Sequence, residues 1–426
     1  MTDTGGARVS ELDGGVRVVT EALSSVRSVA LGLWVATGSR DEDYSQAGVS
    51  HFLEHLLFKG TERYSSIELS ELFDGMGAQV NAGTGKETTQ LHARLLDTHV
   101  DEAFDVMAEM FTRPTYPDID SERQVVIEEI AMYEDEPQDK VHDLFGEALF
   151  GEAPLGRPII GRSEVISSIP IPDISAYHQA RYTAQNVVVA AAGNLDHDHI
   201  VELARKHVRT PAGAPVVQVN GDGAAAEPTV IFGRKDTEQY HLCIGAPGLS
   251  RSDERRFTLA VLDAVFGGST SSRLFREVRE KRGLAYAVGS YNEQYKETGV
   301  VALYLGTRED NLPEACRVIG AELASIQDGV SEDELVRAKE SVKGRLVLGM
   351  ESTSARMNRI GKAVLLNLDL LTLDEMIARI DAVSVDDVAE LAGELYGPEG
   401  LAAACIGRDE DHFRAALEPV REAAAA

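Results

Sequence analysis

Residues His51, Glu54 and His55 form the string H-x-x-E-H, whose side chains could bind a metal ion and activate water. On a helix the two histidines are four residues apart, so their imidazoles lie about one turn apart and can bind a single tetrahedral Zn²⁺. Glu54 lies on the same face, where its carboxylate can reach a water on the metal. A catalytic zinc lowers the pKa of that water to about 7, and a nearby carboxylate takes its proton. The string therefore predicts a zinc hydrolase site with Glu54 as the general base.

The residues around this string predict a buried helix. The segment is apolar nearly all round, with a glycine near its start and another just after its end: Gly48, Val49, Phe52, Leu53, Leu56, Leu57, Phe58 and Gly60. Polar side chains in such a segment need partners. Hydrogen-bonded core histidines are one explanation, because so short a string also occurs by chance. A catalytic zinc needs a third protein ligand, so a suitable carboxylate or histidine downstream would favour the metal site.

An acidic helix predicted downstream offers this third ligand. Glu122 and Glu129 are seven residues apart, so they share a helix face with Val125 and Val126, where a carboxylate would require a cation. Glu128 points about 100° away and is predicted to be solvated, although periodicity alone separates it only weakly from Glu129. Glu122 could accept a hydrogen bond from a ligand histidine and orient its ring.

These motifs resemble those of the pitrilysin-type metallopeptidases, which include insulin-degrading enzymes, mitochondrial processing peptidases and small bacterial relatives. In that family the inverted motif H-x-x-E-H is followed by a helix with two glutamates seven residues apart, the second of which binds zinc. Here Glu129 follows His55 by 129 − 55 = 74 positions. The resemblance includes the run HFLEHLLFKGT from His51 to Thr61 and extends over much of both halves of the chain.

The resemblance implies a role for each residue of the site. It assigns His51, His55 and Glu129 as ligands of one Zn²⁺ per chain, Glu54 as the catalytic base and Glu122 as the partner that orients a ligand. It also implies two similar α/β units that face each other across a chamber, like a clamshell. Short family members commonly pair, so a homodimer is expected.

The two halves of the chain are similar to each other, which predicts an internal duplication. Asp196 and its following residues are repeated at Asp409, an offset of 409 − 196 = 213, and Asp101 corresponds to Pro313, an offset of 313 − 101 = 212. The second half has no histidine near the position that matches His51, so it is predicted to lack the metal. Alternating strands and long amphipathic helices predict an α+β fold with a mainly antiparallel sheet in each copy.

The domain boundaries follow from the duplication and from composition. Residues 213–228 are rich in small residues and punctuated by proline, which is typical of a linker. We therefore expect an N-terminal zinc-binding domain over residues 1–212 and a homologous C-terminal domain without metal over residues 229–426.

The second half still offers residues for catalysis. The segment VREKRGLAY resembles a family segment in which an arginine and a tyrosine seven residues later contact the bound peptide, which implies this role for Arg279 and Tyr286. A guanidinium and a phenol can donate hydrogen bonds to the oxyanion that forms at a peptide carbonyl. Arg282 is the main competitor of Arg279. Without the resemblance, a solvated arginine and a core tyrosine would be the preferred interpretation.

Substrate capture is expected at the strand that contains Asn81, Ala82, Gly83 and Thr84. An edge strand with small residues allows an extended peptide to add through backbone hydrogen bonds, a mode that tolerates many sequences. A strand followed by a flexible turn is the simpler alternative.

Composition narrows the classes of function. The formal net charge is −29, which excludes an ordinary nucleic-acid role because phosphate contacts need clustered Lys and Arg. Three cysteines without metal spacing imply no disulfide framework and fit a reducing compartment. No signal peptide and no apolar run of about 20 residues are found, so a cytoplasmic protein without membrane contact is expected.

The sequence thus predicts a zinc-dependent endopeptidase that cleaves unfolded or short peptides inside a chamber. A non-catalytic scaffold or chaperone-like subunit of the same fold is the alternative, as is a heteromeric subunit that needs a partner. Retention of the zinc motif together with Arg279 and Tyr286 favours the peptidase.

Overall fold

The computed structural model describes residues 2–4, 6–210, 229–397 and 401–424. The predicted linker 213–228 lies outside these residues. The strands are β1 (Thr2–Thr4), β2 (Ala7–Glu11), β3 (Arg17–Ala22), β4 (Ser28–Val35), β5 (Gln79–Thr84), β6 (Thr89–Leu96), β7 (Val187–Gly193), β8 (Val230–Arg234), β9 (Gln239–Gly248), β10 (Ala285–Gln294), β11 (Gly299–Arg308) and β12 (Ala402–Gly407).

The α-helices are α1 (Val49–Leu56), α2 (Ser66–Gly75), α3 (Val100–Thr112), α4 (Ile119–Asp135), α5 (Pro137–Phe150), α6 (Ser163–Ser168), α7 (Ile171–Arg181), α8 (His197–His207), α9 (Arg256–Phe266), α10 (Leu312–Gln327), α11 (Glu332–Gly349), α12 (Thr353–Leu365), α13 (Leu373–Ala382), α14 (Val385–Leu395) and α15 (Glu410–Ala424). A π-helical segment spans Phe275–Glu280. Among these helices, none combines the length and the apolar character that a membrane crossing demands.

The strands form two sheets with matching topology. In the described residues the first sheet has the order β1-β2-β3-β7-β4-β6-β5, and the second has the order β10-β11-β9-β12-β8. β3 pairs with β7 in parallel, as β8 does with β12, and the other pairs are antiparallel. Read outward from β3 and from β8, the two orders are the same. The matching order and direction confirm the predicted α+β fold, its mainly antiparallel sheets and its duplication.

Each compact unit contains one helix from the other half of the sequence. The first unit consists of described residues within Met1–Ile130, Pro158–Asn220 and Val347–Leu373, and the second of those within Ala131–Arg157, Gly221–Leu346 and Asp374–Ala426. Helix α12 packs on β3, β4 and β7, whereas α5 packs on β8, β9 and β12. The predicted domains are continuous, whereas these units are not. The prediction differs because an internal repeat does not reveal which sheet a helix covers.

Strand alternation builds two cores on the first sheet. Along β4, Leu31 and Leu33 point to the core that includes α1 and α3, because successive side chains of a strand face opposite sides. Trp34 points to the other face, where it packs with Met357 and Ile360 of α12. The first sheet is therefore covered by helices on both faces, and α1 is held on the face opposite α12.

Candidate metal centre

Helix α1 carries the H-x-x-E-H string, and its first turn is fixed by a buried carboxylate. Glu42 accepts hydrogen bonds from the backbone N–H groups of Gly48 and Ser50, both at 2.7 Å. Gly48 has φ of 98°, and a Cβ there would lie 2.8 Å from the Cα of Gly161. Only glycine meets both conditions without strain. The helix begins directly after Gly48, as the sequence predicts.

Glu129 of α4 lies beside both histidines. Its carboxylate oxygens are 3.7 Å from Nε2 of His51 and 3.2 Å from Nε2 of His55. The possible ligand atoms of these three residues all lie within 4.8 Å of one another, and no other such group of His, Cys, Asp or Glu was found among the described residues. Glu128 is exposed, as the sequence predicts. The structure thus brings the three predicted ligands together from two helices.

The donor set fits a zinc ion. Bonds of about 2.0–2.2 Å in a tetrahedron separate ligand atoms by roughly 3.3–3.5 Å, close to the distances from Glu129 to the two histidines. Burial, together with the charge of His55, lowers the pKa of His51 to about 4, which keeps its imidazole in the neutral form that binds metals. Nδ1 of His55 is 2.8 Å from Glu122, so its proton is held there and Nε2 is left free as a ligand.

Glu122 is held in turn by a lysine that the sequence analysis did not identify. Its second carboxylate oxygen is 2.7 Å from Nζ of Lys59, and Glu122 is only 4 % exposed. Lys59 follows His55 by one helical turn, a spacing that could have drawn attention to it. The three side chains form a chain from Lys59 through Glu122 and His55 to the metal position.

Glu54 is hydrogen-bonded by a residue of the predicted substrate strand. Burial raises the pKa of Glu54, while hydrogen bonds from the side chain and backbone of Thr84, and the charge of His55, oppose this rise. Thr84 is the last residue of β5. The candidate base Glu54 therefore contacts the end of that strand.

The predicted substrate strand β5 is an edge strand in the described sheet, since its partner there is β6. Asn81 is exposed and Ala82 is buried, as expected of a strand with one face on the core. The side-chain oxygen of Asn81 accepts a hydrogen bond of 2.9 Å from the backbone N–H of Ala82. The simpler alternative of a strand followed by a turn describes the same residues, so their role in binding stays a prediction.

Arg279 and Tyr286 lie together in the second unit. The Arg279 guanidinium donates to the backbone carbonyl of Tyr286 at 2.9 Å and lies 4.2 Å from the centre of its ring. Tyr286 is 78 % exposed, so it is not the core residue of the alternative interpretation. Arg282 instead binds Glu277, with contacts of 2.8 Å to its carbonyl and 2.7 Å to its carboxylate.

Arg279 and Tyr286 both lie where the backbone departs from regular secondary structure. Arg279 lies in the π-helical segment Phe275–Glu280, and Tyr286 lies where the register between β10 and β11 shifts, between Ala285 and Ala287. Both π-helical turns and β-bulges are found frequently at functional sites, where they redirect a side chain.

One apolar prediction on α4 is wrong. Val126 is buried as expected on the face of Glu122 and Glu129, but Val125 is 48 % exposed. Residues 125 and 126 differ by about 100° around the helix, so a face defined by heptad spacing alone is too wide to place both.

Two family models match the chain. Residues 17–163 match Insulinase (Peptidase family M16), and residues 168–342 match the Peptidase M16 inactive domain. An uncharacterised zinc protease of Streptomyces coelicolor is 42 % identical over 404 residues, which cover 92 % of this chain and 88 % of that protein.

Solved structures share the fold. A structure described as the peptidase M16 inactive domain from Pseudomonas fluorescens has a TM-score of 0.88 at 21 % identity and covers 95 % of this chain and 98 % of its own. A chain of complex III2 from Candida albicans has a TM-score of 0.85 at 20 % identity and covers 97 % of this chain and 99 % of its own.

Proposed function

Because the chain belongs to the insulinase family, peptidase family M16, we propose that it is a zinc-dependent endopeptidase. The observation that carries the proposal is the convergence of His51, His55 and Glu129 on one position beside Glu54. The relative from Streptomyces coelicolor is named a zinc protease, which supports a protease function in general.

The side chains of the first unit would hold the metal and move the proton. Zn²⁺ bound by His51, His55 and Glu129 supplies Lewis acidity and makes a water acidic enough to lose a proton near neutral pH. Glu54 takes this proton as the water attacks the peptide carbonyl, and can return it to the leaving amine. Glu122 keeps the ring of His55 in the tautomer and orientation that ligation requires.

The substrate would be an unfolded or short peptide held inside a chamber of the protein. β5 offers backbone groups on its open edge, and its last residue, Thr84, contacts Glu54, so a peptide added to this strand would run toward the base. Arg279 and Tyr286 would donate hydrogen bonds to substrate carbonyls, which their exposure and close pairing support.

The resemblance to short family members extends the proposal to assembly and location. We propose a homodimer with one Zn²⁺ per chain in the cytoplasm. The three cysteines are free and buried, which agrees with a reducing compartment.

The test compares purified wild type with Glu54→Gln in peptide digestion, with zinc content measured on both proteins. We expect Glu54→Gln to retain zinc and to lose about 10²–10⁴-fold in kcat, the usual contribution of a general base. Glu128→Gln changes an exposed glutamate on α4 and is the matched control with unchanged turnover.

Two results would contradict the proposal. Turnover by Glu54→Gln equal to wild type would remove Glu54 from the mechanism. A zinc-loaded wild type that cleaves no peptide would favour the non-catalytic scaffold.

A further inference from the structure

The face of the first sheet that α12 covers contains polar atoms without partners. Nε1 of Trp34, Oε1 of Gln90, Nδ1 of His92 and Oδ1 of Asn358 are buried and have no hydrogen-bond partner among the described residues. We call these four residues the polar face. Buried polar groups in proteins are nearly always hydrogen-bonded, so four such atoms on one face require an explanation.

Strand register places Trp34, Gln90 and His92 around Gly32. Trp34 pairs with Gln90, and His92 pairs with Gly32, so all point to the same side of the sheet. The Trp34 indole fills the space over Gly32, since a Cβ there would lie 2.8 Å from its Nε1 and 2.6 Å from Sδ of Met357. Asn358 follows Met357 on α12.

The corresponding face of the second sheet is different, because its polar groups pair with one another. Tyr304, at the position that follows His92 by 304 − 92 = 212, has its hydroxyl 2.8 Å from Nδ1 of His241. The hydroxyl of Tyr291 is 2.9 Å from Nδ1 of His142 on α5. The duplicated fold can thus satisfy polar groups at this place internally, and the first unit does not.

The polar face adjoins the open edge of β5. Gly83 pairs with Gln90, and Nε2 of Gln90 lies 3.8 Å from where a Cβ on Gly83 would be. A peptide added beyond β5 would run about 4.8 Å from it. Since Gly83 has no side chain, a long side chain of the peptide residue opposite it can pass over the backbone to Gln90. The neighbouring Asn81 carries a side chain on this face, which blocks the same route over the backbone at its own position.

We propose that Gln90, with His92 next to it on the same face of β6, binds the carboxamide side chain of a substrate glutamine or asparagine opposite Gly83. This subsite rests on the proposed function, because it requires a peptide on β5. A carboxamide carries both donors and an acceptor, so it can pair with the amide of Gln90, whose Nε2 faces Gly83.

Charged side chains fit this group less well. Burial lowers the pKa of His92, so its ring is neutral at neutral pH. Without a carboxylate among the four residues of the polar face, a lysine or arginine would lie there uncompensated. A substrate carboxylate would likewise find no cation among these residues to compensate its charge. Gln90 is only partly buried and its Nε2 faces Gly83, so its amide can be reached from the edge of the sheet.

The test measures kcat/KM for a set of peptides in which one position at a time carries glutamine or norleucine. We expect wild type to prefer glutamine roughly fivefold to tenfold at one position, the value of about one neutral hydrogen bond. Gln90→Met keeps the length of the side chain but removes its amide, and should abolish this preference with unchanged zinc content. Gly83→Ala, which adds a methyl group at ordinary contact distance, should reduce it.

Tyr304→Phe alters the corresponding place in the second unit and is the matched control that should keep the preference. Equal rates for glutamine and norleucine at every position, or a preference that survives in Gln90→Met, would overturn the subsite. Dissociation constants of the same peptides, measured by calorimetry on Glu54→Gln, separate the two proposals. A protein without peptidase activity would refute the proposed function, whereas equal affinities for the two peptides would refute the subsite.

Discussion

Replacement of Glu122 by glutamine tests how the protein holds its metal ligand. Glu122 accepts from His55 at 2.8 Å and binds Lys59 at 2.7 Å while only 4 % exposed. Glutamine has nearly the same shape, so its oxygen can still accept from His55. Its amide group would then face the ammonium of Lys59, and the negative charge that supports the imidazole would be lost.

The expected loss of zinc affinity follows from the role of carboxylates that support a ligand histidine. Loss of a carboxylate that supports a ligand histidine typically weakens metal binding by about 10–100-fold, or roughly 1.4–2.7 kcal/mol. We expect Glu122→Gln near the lower value, because one hydrogen bond to His55 survives. Glu122→Ala removes both contacts and should reach the higher value.

The assay is a competition titration against a chromogenic zinc chelator. Melting temperatures of the metal-free proteins are measured in parallel, because the loss of the pair with Lys59 also destabilises the fold without zinc. Glu128→Gln on the same helix serves as the control. Zinc affinity of Glu122→Gln and Glu122→Ala within about twofold of wild type would refute the proposed support of His55.

Three further predictions concern stability. Glu42→Gln removes the charge that caps α1 and should destabilise the protein by roughly 1–3 kcal/mol in urea unfolding, whereas the exposed Glu128→Gln should not. The Arg273 guanidinium, with help from Ser331, lowers the pKa of Glu334 to about 2. The contacts that lower this pKa stabilise only the ionised carboxylate. Glu334→Gln should therefore lower the free energy of unfolding by its full amount above about pH 5, and this loss should disappear as the pH falls toward 2. Unfolding measured across that pH range checks the prediction. Residues 1–212 expressed alone lack α12, which leaves the apolar face around Trp34 uncovered. This fragment should therefore bind a hydrophobic dye and lose that binding on co-expression with residues 213–426. A compact fragment that binds no dye would contradict this.

Helical periodicity predicts most of the candidate site. The spacing of His51 and His55 places them one turn apart, and the separation of seven positions between Glu122 and Glu129 places both on one face, as the structure has them. The choice of Glu129 over Glu128 rested on the resemblance, because neighbouring helical residues differ by only about 100°. The duplication predicts that the two sheets share one strand order, but not which order that is.

Other features depend on tertiary contacts that a pattern does not contain. The exchange of α5 and α12 between the halves leaves the repeat unchanged, so the offset of 212 residues does not reveal it. Glu42 caps a helix from outside its own turn, across six residues. Gln90 and His92 alternate on β6 like residues of a solvated face, and their place on the same side as Trp34 appears only when the sheet is built.

The proposed function depends on the binding of one zinc ion by His51, His55 and Glu129. Crystals grown with added zinc and measured on both sides of the zinc absorption edge test it directly. We expect one anomalous peak per chain, about 2.0–2.2 Å from each imidazole and from the carboxylate of Glu129. Crystals without a peak between these three side chains, or with a peak bound by Glu128 in place of Glu129, would contradict it.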